Sequence, residues 1–387
     1  MAGSIGQMTA EALAARIDAE APITVIDTRP SDSFAAWHIP GAMSVPYDPH
    51  DGLAADRKWA DVERTVSAAA ETAIVCGKGV SSTALAVELD RRGHDDIGVV
   101  VGGMQAWSAV YHTVTLPLEV TDLTVVQLQR RSKGCLGYLV GDPTTGEAIA
   151  VDVSQHVGVA LRAVAAAGLR LTAVVDTHVH ADHISGGSEL AAEVGVPYHL
   201  SADAAERGVR MPYTQLAPGD RLELGGLGID VIAAPGHTGE QVALLVDGRL
   251  LLSADALFID GVGRTELQYG AAEAAHGAAL LYETLHERFG TLDDAVWVLP
   301  GHVAVDADRG MVGATPGTPI MRSLGAVRTT VPLLDADRET FISAVSDDAP
   351  AKPPHYREII GLNMGEGEVD RTEAIALELG PNNCAAS

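Results

Sequence analysis

Cysteine is scarce, with three in 387 residues. That excludes a disulfide framework and makes the reducing cytoplasm the expected compartment. Lysine is scarcer still in proportion: Lys58, Lys78, Lys133 and Lys352 are the whole complement. The 26 bases face 52 acids, for a net charge of −26. A nucleic-acid backbone or an anionic membrane surface would be repelled, so neither is an expected partner. No apolar run reaches the roughly 18 residues of a membrane span. The opening MAGSIGQMTAEALAARIDAE lacks the basic and apolar regions of a secretory signal. There is no internal repeat or low-complexity tract. What remains is 47% hydrophobic with 41 glycines and 19 prolines, which excludes collagen, coiled coil and wholesale disorder. The length suits two or three domains.

Two textures divide the chain. Up to about residue 112, short apolar runs alternate with helical stretches. TVIDT (24–28), TAIVC (72–76) and IGVVVGG (97–103) read as buried parallel strands. Thr9 can cap a helix over EALAARIDAE, and a helical pattern runs from Ser82 to Gly93. This is an α/β domain. The stretch YHTVTLPLEV (111–120) loses the pattern, which places a boundary at 115/116. Strand pairs follow. Asp142–Pro143 and Asp247–Gly248 mark hairpins, and RLTAVVDT, RLELG, IDVIAAP and AVWVLP each end in a polar cluster. A helical stretch covers 271–290. From about 311 a helical extension runs to an NNCAAS tail expected to fray.

Cys76 ends a strand and is followed by Gly77, Lys78, Gly79, Val80 and Ser81 before a helix. Backbone N–H groups and a helix N-terminus then point at the sulfur, favouring thiolate and forming a cradle for a persulfide or thiosulfate. Alone, Cys76 would read as a small buried residue. Its companions change that: Val25-Ile-Asp-Thr-Arg29, His38-Ile-Pro-Gly-Ala42, the loop CGKGVSS and Gly102-Gly-Met-Gln-Ala-Trp107, in that order. This set resembles the rhodanese homology domain over residues 20–112. The resemblance implies a sulfurtransferase with Cys76 as sulfane-sulfur carrier and Asp27, Arg29, His38 and Trp107 as architecture.

The second half carries THVHADH at 177–183, then His237 in APGHT, Asp255 in SADALF and His302 in LPGH. Each group follows an apolar strand, and the set is a compact supply of nitrogen and oxygen ligands. The order HxHxDH, His, Asp, His resembles the metallo-β-lactamase superfamily over about 120–310, which implies an αββα sandwich after the rhodanese-like α/β domain. In that family His178, His180 and His237 match one metal site, Asp182, His183 and His302 match a second, and Asp255 bridges them. One branch, the glyoxalase II-type thioesterases, uses two zinc ions to activate water. Another, the persulfide dioxygenases, uses one Fe(II) on the residues matching His178, His237 and Asp255 and leaves positions for O2 and substrate sulfur.

Three features favour the dioxygenase. Arg264-Thr265 with Gln268 resembles its stretch after the aspartate, the tail at 352–363 resembles its C-terminus, and a fused sulfur carrier suits a persulfide consumer. The expected partners are then O2, a low-molecular-weight thiol persulfide, and sulfite or thiosulfate, with a homo-oligomer left open. A dizinc hydrolase and a non-catalytic sulfur relay are the alternatives. One departure stands out. Val303-Ala304 follow His302 where many dioxygenases have Asp-Tyr. Arg264, with Thr265, is the candidate to hold a substrate carboxylate, and a structural salt bridge is the other reading open for it. Cys135 reads as core, Cys384 as inert tail, and His50, His94, His112, His156, His199, His276, His286 and His355 as ordinary.

Overall fold

The computed structural model describes residues 5–270, 273–305, 311–347, 352–380 and 385–386; Cys384, with most of the tail, lies outside them, as do residues 271–272 at the head of the stretch 271–290. The first domain is a five-stranded parallel sheet, in the order Gly6–Met8, Ile97–Val100, Thr72–Val75, Thr24–Asp27, Met43–Ser44. Strand residues alternate between its faces. Val25, Val75 and Val100 pack with Leu13, Met104 and Trp107 on one side. Ile26, Ile74 and Val99 pack with Val62, Leu85 and Leu89 on the other. Both faces are covered by helices, which is why the strands read as unbroken apolar runs. Thr9 caps the helix Ala10–Asp18 by accepting from Ala12 N at 3.1 Å, a contact worth roughly 1 kcal/mol. The helix after Cys76 runs Val80–Arg91, two residues earlier than the pattern suggested, because Gly79 takes φ 106° and makes the turn.

The second domain is two sheets face to face. One has seven strands, from Thr214–Leu216 through Tyr198–Ser201, Arg170–Val175, Glu147–Val151, Leu136–Asp142 and Thr124–Arg130 to Tyr111–Thr115. The other has six, from Arg221–Leu224 through Leu227–Ala233, Val242–Val246, Leu250–Ala254 and Trp297–Pro300 to Arg322–Ser323. Val125, Val140 and Val175 of the first interdigitate with Ile229, Leu244 and Leu252 of the second. Helices Val157–Ala166 and Gly187–Val194 cover one outer face, and Ala274–Glu283, Leu324–Thr330 and Arg338–Asp347 the other. The layers are αββα. Both expected hairpins form, and Asp247 (φ 47°) and Gly248 (φ 65°) make the tighter turn.

Two boundaries move. Tyr111–Thr115 pairs with Thr124–Arg130 and is the edge of the second domain's sheet, so the division falls ahead of it and not at 115/116. The extension also begins by contributing a strand, Arg322–Ser323, before its helices. The domains are docked through Asp18, whose carboxylate meets Arg131 at 3.1 Å and His112 at 2.9 Å. Among the described residues no helix is long and apolar enough to cross a membrane.

Candidate active sites

Cys76 lies at the base of a pocket of about 790 Å³, lined among others by Thr28, Pro30, Tyr47, Leu53 and Lys78. Its sulfur accepts from Gly79 N at 2.9 Å and lies 3.3 Å from Ser82 Oγ. Burial by itself pushes the thiol up. The Ser82 hydroxyl, the backbone N–H groups of Ser82 and Gly79, and Ser81 outweigh it, so the thiol sits below its ordinary value. The loop is held from behind. Met104 N donates to Cys76 O at 2.8 Å, and a Cβ on Gly103 would come within 2.1 Å of that oxygen. Buried Asp27 pairs with half-buried Arg29 at 2.7 Å, a contact within the domain's own framework.

The metal-type residues come from strand ends at one edge of the sandwich. The loop after Arg170–Val175 carries His178, His180, Asp182 and His183. His237 follows Leu227–Ala233, Asp255 follows Leu250–Ala254, and His302 follows Trp297–Pro300. Ala254 adopts φ 49° immediately before Asp255, a strained conformation of the kind that clusters at functional sites. Gly301 is required beside it, since a Cβ there would come within 2.4 Å of Asp255 Oδ1. All seven side chains are buried.

They do not form one symmetric pair of sites. One donor atom from each of His178, His237 and Asp255 lies within 4.8 Å of the others. His178 Nε2 and His237 Nε2 stand 3.9 and 3.5 Å from Asp255 Oδ2. Their other nitrogens are committed. His178 Nδ1 donates to Thr177 Oγ1 at 2.9 Å, whose hydroxyl donates to Asp152 Oδ2 at 2.9 Å. His237 Nδ1 donates to the Arg264 carbonyl at 2.7 Å. Both rings therefore turn a lone pair inward, as metal ligands need. Burial first, and neighbouring histidines second, hold His178 well below its ordinary value; burial also lowers His237, so both stay neutral. His178 Nε2 and Asp255 Oδ2 are buried without a hydrogen-bond partner, an arrangement that a bound cation would satisfy.

The second cluster gathers Cys135, Asp182, His183 and His302, with donor atoms within 4.8 Å of one another and His183 Nε2 buried without a hydrogen-bond partner. His302 donates from Nδ1 to Asp255 Oδ1 at 2.7 Å and from Nε2 to Asp182 Oδ2 at 3.0 Å. Both ring nitrogens thus face carboxylate oxygens, which favours the charged form of the ring. Burial opposes that charge, but Asp255 and Asp182 outweigh it and hold His302 well above its ordinary value. Asp182 also meets His183 Nδ1 at 3.2 Å and Cys135 Sγ at 3.1 Å. Cys135 thus faces this cluster and is not simply core, because it sits just ahead of the strand Leu136–Asp142 where the alternation has not begun. The His180 ring lies between the two groups, its centroid 4.2 Å from those of both His178 and His183, with Nε2 3.3 Å from Asp152 Oδ1.

Arg264 is placed differently from its expected role. Its guanidinium is fully buried and paired with Glu266, with Nε donating to Oε1 at 2.7 Å. Its carbonyl accepts from His237 Nδ1 at 2.7 Å. The pair with Glu266 favours the structural salt bridge over a substrate contact. Thr265 is equally buried and donates to Ala274 O at 2.9 Å. Val303, in the position of the absent Asp-Tyr, is buried in the core between the sheets. Sequence reading missed Asp152, Thr177 and Glu240; Glu240 Oε1 accepts from Val179 N at 2.9 Å and pairs with Arg207. A local hint existed only for Asp152 and Thr177, which end strands at the ligand-bearing edge.

The rhodanese-like domain family matches residues 9–110 and the metallo-beta-lactamase superfamily matches residues 134–302. The hydroxyacylglutathione hydrolase of Cereibacter sphaeroides is 30% identical over 241 residues, 61% of this chain and 89% of that protein. The human mitochondrial persulfide dioxygenase ETHE1 is 33% identical over 171 residues, 43% of this chain. The chain spans 62% of the length of the bovine and human relatives it matches. The crystal structure of ETHE1 from Myxococcus xanthus superposes with a TM-score of 0.54 at 30% identity, covering 62% of this chain and 98% of that one. The chain belongs to the metallo-β-lactamase superfamily and carries an N-terminal rhodanese-like domain. The fold and the buried His/Asp donors imply a metal-dependent enzyme.

Proposed function

We propose that the chain is a persulfide dioxygenase-type enzyme with one Fe(II), coupled to sulfur transfer at Cys76. The reaction would be RSSH + O2 + H2O giving RSH and sulfurous acid, present as sulfite. The single observation that carries the reading is the commitment of Asp255. Its Oδ1 is taken by the His302 imidazolium at 2.7 Å, leaving Oδ2 to share a cation with His178 and His237. That is two histidines and one carboxylate, a set that suits a non-haem Fe(II) oxygenase more than a dizinc hydrolase. The dizinc alternative would draw in addition on Cys135, Asp182, His183 and His302, whose donor atoms also lie within 4.8 Å of one another.

His178 Nε2, His237 Nε2 and Asp255 Oδ2 would hold the ion. Fe(II) on three protein donors supplies open positions for O2 and a substrate sulfur. The protein's part is positional and electrostatic. Thr177 Oγ1 and the Arg264 carbonyl hold both ring tautomers, and the His302 imidazolium offsets the charge of Asp255 and Asp182. At the other site the hydrogen bonds from the Ser82 hydroxyl and Gly79 N keep the Cys76 sulfur nucleophilic. A Cys76 persulfide attacked by sulfite at its outer sulfur would release the thiolate and form thiosulfate; the reverse flow uses the same atoms. The compartment we propose is the cytoplasm, on the scarcity of cysteine.

Metal analysis of anaerobically purified protein tests the reading. About one iron per chain, with oxygen uptake on adding a thiol persulfide, is expected. About two zinc ions and oxygen-independent thioester hydrolysis would replace it with the hydrolase, the activity in the name of the Cereibacter relative.

A further inference from the structure

The loop that carries Asp182 and His183 is held from the far end of the chain. Asn363 is the last residue of the helix Tyr356–Asn363 and is buried. Its Nδ2 donates to His180 O at 2.9 Å and to His183 O at 2.8 Å, and its Oδ1 accepts from Ser185 N at 2.9 Å. Both amide hydrogens and the oxygen are used. The amide orientation follows, because a flipped side chain would set an oxygen against two carbonyls and an NH2 group against an N–H. Next to it, Glu378 Oε1 accepts from Ile184 N at 2.6 Å while the same carboxylate pairs with buried Arg130 at 2.6 Å. Residues 180–185 form no helix or strand. Much of the loop's backbone hydrogen bonding is therefore supplied by two side chains about 180 positions away.

We infer that Asn363 is a positioning residue for the metal site, acting through the 180–185 loop. By fixing the carbonyls of His180 and His183, it sets the Asp182 carboxylate that accepts from His302 Nε2 at 3.0 Å. His302 in turn engages Asp255 Oδ1 at 2.7 Å and thereby turns Oδ2 toward His178 and His237. The inference concerns whichever cation those three donors hold, so it stands apart from the choice of iron or zinc. The C-terminal extension thereby acquires a specific role. It supplies one amide with two donors and one acceptor, which no aspartate and no aliphatic residue reproduces.

The test is Asn363→Asp in the full chain, an isosteric change that sets a carboxylate oxygen against two carbonyls. The readouts are the rate at which the native metal passes to an excess of chelator, the ligand-field spectrum of cobalt-substituted protein, and the split between kcat and KM. Release about 10- to 100-fold faster is expected, the usual consequence of losing a residue that orients metal ligands. A shifted cobalt spectrum, a lower kcat and a KM within about threefold of the parent should accompany it. Asn363→Ala, which leaves bonds unmade without adding repulsion, should fall between the parent and Asn363→Asp. Parent-like release and spectrum in a folded variant would overturn the inference. So would failure of both variants to fold, which would assign Asn363 to folding and not to the metal. Zinc in the parent protein would sink the dioxygenase reading and leave this test standing.

Discussion

Arg264 offers a decisive perturbation, because the sequence leaves two roles open for it. Its guanidinium is fully buried and shares Glu266, whose side chain is 3% exposed. Truncation to Ala removes the cation and leaves that carboxylate in a dry site. Breaking a buried pair from one side costs about 3–5 kcal/mol, most of it the stranded charge. For a domain of this size that is on the order of 10 °C in unfolding temperature. The contact with His237 is made by the main-chain carbonyl, so it survives substitution, and folded Arg264→Ala should still bind metal. The double variant Arg264→Met/Glu266→Leu removes both charges and should recover most of the loss, since hydrophobic replacement of a whole buried pair is often neutral. Thermal unfolding of parent, single and double variants, alongside KM for a thiol persulfide, reads all of this. A single variant that unfolds with the parent but raises KM about tenfold would return Arg264 to the substrate and refute the argument.

Cys76→Ser should abolish sulfur transfer from thiosulfate to cyanide while oxygen uptake with supplied persulfide continues; loss of both in a folded protein would mean the two sites are coupled. Ser82→Ala removes a hydrogen bond that favours the thiolate, so the Cys76 pKa should rise. Alkylation by iodoacetamide at neutral pH should slow by about tenfold, the equivalent of one hydrogen bond to a charged group, and an unchanged rate–pH profile would assign the depressed thiol to something else. Asp255→Ala should release the metal and end oxygen uptake, and retention of about one ion per chain would show that His178 and His237 do not need this carboxylate.

The legible part of the site is the part built on strand ends. His178, His237, Asp255 and His302 each follow an apolar run, so sequence order alone brings them to one sheet edge. Cys76 follows the same rule at the mouth of a parallel sheet. Such runs are visible because both faces of these strands are covered. Tyr111–Thr115 is harder to see because an edge strand that buries chiefly Val114 carries too weak an alternation. What sequence could not give is commitment: which of several donors is already spent. The motif sets His180 beside His178, and in the structure the rings stay 4.2 Å apart, but His180 Nε2 also lies 3.3 Å from Asp152 Oδ1. The motif makes Asp255 a bridge, and the structure adds that its Oδ1 lies 2.7 Å from His302 Nδ1. Arg264 reads as a substrate-binding cation until Glu266 is seen against it. These are choices between partners of similar chemistry, decided by ångström-scale packing and not by residue type. Asn363 is the extreme case. A helix pattern over 356–363 says nothing about a loop 178–183 positions earlier, because only the docking of the extension on the sandwich brings the two together.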